Sequence, residues 1–221
     1  MMTRSAACSD IDSESKMKKV SLKTFRPLTL AALFCAIAIA LCSCSARFVS
    51  EGPAYRDKKT DVLYEYAPFC YEAIEIGKDV YAEAEIDTFY EIVGKDPLSW
   101  LCESSGTVFY ASGTTLPTLE QMNISYIDVC TESSTVTVKA KIEDSADILA
   151  IVSSYVSSDD LGYSGDIATS SYKIRFADTS LGLYYSVSFF RYSDGGDYIY
   201  NRSEDKLVKA PAELVKYIDE L

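Results

Sequence analysis

The chain has 221 residues, a net charge of −12, seven Cys and no His. A Ser-His-Asp or Cys-His nucleophile and any His-ligated metal are excluded, and with no CxxC pair neither a zinc knuckle nor a thioredoxin-like site is expected. Beyond residue 44, 15 Lys and Arg stand against 30 Asp and Glu, a net charge of −15; such a body repels nucleic acid, so no nucleic-acid partner is expected.

Residues 1–16 (MMTRSAACSDIDSESK) are polar and carry Asp10, Asp12 and Glu14. They read either as lying upstream of a true start at Met17 or as a short cytoplasmic tail. From Met17 the chain runs MKKVSLKTFRPLTLAALFCAIAIALCSC. Lys18, Lys19, Lys23 and Arg26 make a positive region free of acids. Leu28 to Leu41 is apolar and uncharged, shorter than the ~20 residues that span a bilayer. This is the layout of an export signal. Its last residues, Leu41-Cys42-Ser43-Cys44, resemble the lipobox of bacterial lipoproteins, with an aliphatic residue three places and a small residue one place before a cysteine. The resemblance covers residues 17–44. It implies that Cys44 receives a diacylglycerol on its thiol and becomes the N-terminus after cleavage. Cys42 departs from the family's usual small or hydroxyl residue; it is a second candidate for lipidation, with Leu41 a poor fit before it. An uncleaved signal anchor is the alternative. Both place the basic flank in the cytoplasm and the acidic body on the extracytoplasmic face of the cell membrane. Two or more acyl chains, at ~0.8 kcal/mol per buried CH₂, anchor a protein stably without a spanning helix.

Past residue 44 the chain resembles no named family. Residues 45–61 (SARFVSEGPAYRDKKTD) are mixed, charged and turn-rich, and read as a flexible tether. Residues 62–221 hold most of the 17 Tyr and the single Trp and read as one domain, with a subdivision near 123 as a variant. Two alternating runs, 71–76 and 81–86, predict a hairpin around Gly77-Lys78-Asp79. Ile86, Phe89, Tyr90 and Val93 fall at helical spacing, and Asp96-Pro97 opens a short helix carrying Trp100 and Leu101. Residues 107–112 read as a strand and 115–123 as a loop with a helical turn.

The second half alternates more cleanly. Residues 125–130 and 135–142 make a hairpin around TESS. Asp144 caps a helix whose stripe is Ile148, Ile151, Val152, Tyr155 and Val156. After a polar loop, strands follow at 171–177, 183–192 and 197–201, joined by DTSLG and SDGGD turns, with an edge strand at 206–209 and a terminal helix from Pro211. The expected fold is α+β: an antiparallel sheet of hairpins packed by one or two helices, the C-terminal one included.

Cys70, Cys102 and Cys130 are the three cysteines of the body, an odd number. Cys102 and Cys130 are the candidate disulfide, and buried free thiols are the alternative. Two S-x-x-K matches, Ser203–Lys206 and Ser170–Lys173, fall in a turn and a strand rather than at a helix start, so they carry no catalytic reading. Asp194-Gly-Gly-Asp197 lacks the ligand ladder of a calcium loop and reads as a turn. No catalytic residue, metal or cofactor is assigned. The suggestive feature is aromatic. Along 184–192, Tyr185, Val187 and Phe189 make a core face. Tyr184, Ser186, Ser188, Phe190 and Tyr192 make the other, which Tyr198 and Tyr200 extend. Such a face of serines and rings suits stacking on a sugar or peptide, unless a helix covers it or the rings pair across strands. Tyr184, Phe190, Tyr192, Tyr198 and Tyr200 are therefore the candidate ligand-binding residues. The function this implies is binding or structure at the cell surface, with a cell-wall glycan, a peptide or an envelope protein as partner. A carboxylate-dependent hydrolase of envelope glycans is the alternative. Mass spectrometry of the native N-terminus is expected to find a diacylated Cys44, and an intact chain starting at Met17 refutes cleavage.

Overall fold

Strand-forming residues fill the first half of the body as fully as the second. The structure, a computed structural model, describes residues 46–131, 136–162, 168–193 and 195–221. The export signal with Cys44, most of the TESS turn and Asp194 lie outside them. The described residues belong to one compact unit. In chain order the first half carries β1 (Phe48–Glu51), β2 (Ala54–Asp57), β3 (Leu63–Tyr66), β4 (Tyr71–Ala73), β5 (Ile76–Glu83), β6 (Thr88–Ile92), β7 (Trp100–Glu103) and β8 (Val108–Ala111). All but β4 form an antiparallel sheet in the order β1-β2-β3-β8-β7-β6-β5. The second half carries β9 (Tyr126–Thr131), β10 (Thr137–Ile142), α1 (Ser145–Ser157), β11 (Ala168–Asp178), β12 (Leu183–Tyr192), β13 (Asp197–Asn201), β14 (Lys206–Lys209) and α2 (Ala212–Asp219). Its sheet runs β10-β9-β11-β12-β13-β14, and β4 joins it at β12.

The expected α+β class is therefore corrected. Strand makes up 48% of the described residues against 14% helix, and these residues form a β-rich pair of antiparallel sheets with two α-helices. The error lies in the first half and has a physical cause. Phe89, Leu101 and Phe109 pack into one core with Phe48, Tyr55 and Tyr64. Ile92, Cys102 and Val108, on the opposite faces of the same strands, pack into a second core shared with the other sheet. A strand buried on both sides loses its polar alternation. In β6 this puts Phe89 on one core and Tyr90 and Ile92 on the other, which mimics helical spacing. Trp100 and Leu101 likewise lie in β7, not in a helix. Gly77-Lys78-Asp79 is no turn either; it lies within β5, where a Cβ on Gly77 would meet the Glu91 carbonyl oxygen at 3.0 Å.

The expected tether is also corrected, since residues 48–57 are a paired hairpin. Its charges are structural. Asp57 is fully buried. It accepts from Arg47 Nε at 2.9 Å, from the Lys59 amide at 2.9 Å and from the Thr60 hydroxyl at 2.8 Å. Burial pushes the Asp57 carboxyl up, but these donors outweigh it and hold it below the usual range. Arg47 also donates to the Tyr81 carbonyl at 2.9 Å and its hydroxyl at 2.9 Å. It thus ties the β1 edge of the first sheet to β5 at the other edge, and the sheet curls round its aromatic core.

The second half follows the expected order. Asp144 caps α1, accepting from the amides of Ala146 and Asp147 at 3.0 Å each. Asp147 reaches α2 instead, accepting from Lys216 Nζ and the Tyr217 hydroxyl at 2.6 Å each. Ile148, Ile151 and Tyr155 of α1 and Leu214 and Ile218 of α2 cover one face of the second sheet, against Tyr185, Val187 and Phe189. Among the described residues no helix is long and apolar enough to cross a membrane. The expected Cys102–Cys130 bond is absent: Cys70, Cys102 and Cys130 are free and buried, and Cys102 sits on β7 while Cys130 sits on β9 of the other sheet. Phe89→Ala empties the centre of the curled core and is expected to lower stability by about 3–5 kcal/mol, read by urea denaturation.

Candidate functional site

The helices leave the opposite face of the second sheet without helical cover. Cross-strand register sets what stands there. Arg175 of β11 lies between Asp128 of β9 and Ser186 of β12, and Lys173 lies between Cys130 and Ser188. Two cations two residues apart on one strand share a face and need a countercharge. It comes from β4. Pairing of Leu183–Tyr185 with Tyr71–Ala73 places Glu72 beside Tyr184. One Glu72 carboxylate oxygen takes Lys173 Nζ, and the other takes Arg175 Nη2 and, at 3.1 Å, its Nε. The three side chains are 13–27% exposed. Burial pushes the Glu72 carboxyl up, but the hydrogen bond and charge of Lys173 and the charge of Arg175 outweigh it, so it stays below the usual range.

Where β4 ends, β13 has not yet begun, and the β12 edge is closed by a loop. The Ser186 amide donates to the Cys70 carbonyl at 2.6 Å, and the Cys70 amide donates to Ser203 Oγ at 3.1 Å. Asn201 fixes that turn, accepting from the Ser203 amide at 2.9 Å and donating to the Tyr185 hydroxyl at 2.6 Å. On the other side β4 meets the 103–107 turn, which the positive φ of Gly106 allows and whose carbonyl accepts from Ala73 at 3.0 Å. These walls enclose a groove of about 890 Å³ between the sheets. Lys173, Arg175, Ser186 and Ser188 form its floor; Glu103, Ser105 and Thr107 line one side and Tyr200 to Ser203 another. Tyr66 and Phe69 also line it; Phe69 is 77% exposed, with the Arg202 guanidinium 5.6 Å from its ring centre.

Two buried hydroxyls, those of Tyr155 and Ser186, have no hydrogen-bond partner among the described residues. Tyr155 sits in the helix-covered core, whereas Ser186, 7% exposed, lines the groove. Glu103 contrasts with Glu72: burial pushes its carboxyl above the usual range, offset in part by the Ser105 hydroxyl. The two glutamates do not make a hydrolytic pair, because each Glu72 oxygen is committed to a cation and is not poised to take a proton from water.

The candidate ring face is distributed differently from its sequence reading. Phe190, Tyr192, Tyr198 and Tyr200 do form a chain of rings, with centres 5.3–6.4 Å apart. Their faces are largely spent on one another, and Tyr192 is buried. Tyr184 stands apart and is buried too, with its ring against Tyr126 and under Arg175. Ser203 of the S-x-x-K match serves the Cys70 amide, and Ser170 and Lys173 both lie in β11. Sequence reasoning missed Glu72, Lys173, Arg175 and Phe69. The cations at 173 and 175 were a visible signal of a charged strand face, whereas their partner lies about a hundred residues away. A second hollow, about 530 Å³, lies between α1 and residues 120–124; its wall is mainly apolar, with Met122, Ile124, Leu149 and Val152, and no buried polar group converges on it.

No protein-family model matches the chain, and no curated protein or solved structure matches it.

Because Glu72 is held below its ordinary value, its contribution to stability is present above the unfolded glutamate pKa, about 4.3, and is lost as pH falls through the folded value. Glu72→Gln is expected to cost roughly 1–3 kcal/mol at neutral pH. The difference from wild type should shrink on acidification, read as denaturation midpoints at pH 7, 5 and 3.

Proposed function

We propose that this chain is a lipoprotein, held by Cys44 at the extracytoplasmic face of a bacterial cell membrane, whose folded part binds a component of the cell envelope in the groove between its sheets. The anchor rests on the lipobox resemblance of residues 17–44. The binding role rests on one observation above all, the Ser186 hydroxyl, which is buried, unpartnered and part of the groove lining. A buried polar group without a partner costs about 1–3 kcal/mol, and native folds rarely carry one unexplained. A ligand that meets the hydroxyl turns that cost into affinity. The walls support the same reading: they are tied by backbone hydrogen bonds to β4 and β12, so the groove exists before a ligand arrives.

The hydrolase reading keeps one favouring observation, the raised Glu103 carboxyl beside the groove. It lacks a second carboxylate free to activate water or form an intermediate.

The test is a thermal-shift screen of the full chain in detergent against envelope-derived glycans and peptides. At least one member is expected to raise Tm in a saturable way, by about 2–3 kcal/mol of apparent stability at a hundred times its Kd. A screen with no response overturns the binding role. Release of reducing ends from a glycan, abolished by Glu103→Gln, puts the hydrolase in its place.

A further inference from the structure

We infer that the ligand of this groove is a neutral oligosaccharide, held by side chains: Phe69 stacks on a sugar ring at the mouth, and Ser186 meets a sugar hydroxyl on the floor. This deepens, and rests on, the reading of the groove as a binding site.

Four features select that class. The first is charge. The floor has two cations around one carboxylate, which disfavours a cationic ligand, while Glu103 beside it and the −15 charge of the body disfavour an anionic one. A neutral ligand meets neither penalty. The second is the lining chemistry. Ser105, Thr107, Ser186 and Ser203 present hydroxyls, and the Arg175–Glu72–Lys173 triad adds fixed donors and acceptors. Closely spaced groups of both kinds match the vicinal hydroxyls of a sugar, each of which donates and accepts. The third is Phe69. A phenylalanine 77% exposed at the rim of a polar groove has no part in the core, and its ring offers an apolar face to the C–H side of a pyranose. The Arg202 guanidinium 5.6 Å away steadies the ring.

The fourth feature weighs against a peptide bound as an added strand. Strand addition needs an open sheet edge. Here the β12 edge is taken by β4 at Leu183–Tyr185, by Cys70 at Ser186 and by β13 from Ser188. A ligand in the groove therefore meets side chains, not a free row of backbone amides. Its size fits as well, since about 890 Å³ is enough for a few linked sugar rings.

The test titrates the full chain in detergent micelles, followed by amide chemical shifts, with three neutral tetrasaccharides (chitotetraose, cellotetraose and maltotetraose), an oligogalacturonate and an N-acetylated, C-amidated neutral hexapeptide. A neutral tetrasaccharide is expected to shift the Phe69–Glu72 and Ser186–Ser188 amides in a saturable way; the acidic sugar and the peptide are not. Phe69→Ala and Ser186→Ala should each weaken binding on the order of tenfold. Ser186→Ala carries its own control. Removing an unpartnered buried hydroxyl should leave the Tm of the unliganded protein unchanged or higher, whereas a hydroxyl with a structural job lowers it. Binding that both variants leave intact overturns the inference, as does a lowered Tm for Ser186→Ala. If the peptide alone binds in the groove, the sugar assignment falls and the binding site stands. If nothing binds there, in this panel or the broader screen, both fall.

Discussion

The short strand β4 ties the two sheets together through backbone pairing. Tyr71–Ala73 lies in the chain between strands of the first sheet, yet it pairs with β12 of the second. Its other edge bridges to Thr107, and its Ala73 amide donates to the Gly106 carbonyl of the 103–107 turn. Glu72, in the middle of this strand, is the countercharge that lets Lys173 and Arg175 share a face. Take that strand away and the two cations are left repelling each other, the β12 edge opens, and the groove loses its wall. Site and architecture therefore depend on the same short stretch of backbone.

The central strands of the first sheet serve two cores at once. Phe89, Leu101 and Phe109 look into the aromatic core, while Ile92, Cys102 and Val108 look into the core shared with the second sheet. This arrangement lets a body dominated by strands bury side chains on both faces of one sheet. It needs the first sheet to curl, and Arg47, spanning from Asp57 to Tyr81, supplies that clasp. The charges of the 45–61 region are in this sense part of the packing.

How much of this was legible depended on whether a strand fed one apolar core or two. The strands from 125 onward are covered by helices on one side only. Their alternation shows, as do the Asp144 cap and the Pro211 helix start. Strands β6, β7 and β8 send apolar residues into two cores, so their sequences lack a period of two, and the chance spacing of Phe89, Tyr90 and Val93 reads as a helix. The serine face of β12 could be seen in the sequence, and it does floor the groove. What could not be seen was the β4 crossover that brings Glu72 to it. The rings of Phe190, Tyr192 and Tyr198 share the face but pack on one another, while the most exposed ring of the groove is Phe69, in a stretch with no pattern at all.

The three thiols have a consequence for how such a chain must mature. Burial pushes the thiols of Cys70, Cys102 and Cys130 up, the first two to about 11 and about 12, which disfavours the thiolate that thiol exchange needs. The same groups are ordinary reactive cysteines while the polypeptide is still extended. In an oxidising compartment any bond between them would join residues that the native fold keeps as separate thiols, Cys70 just before β4, Cys102 on β7 and Cys130 on β9. Were the chain to fold in such a compartment, collapse of the two cores would have to run ahead of oxidation, with the hydrophobic interior shielding the thiols.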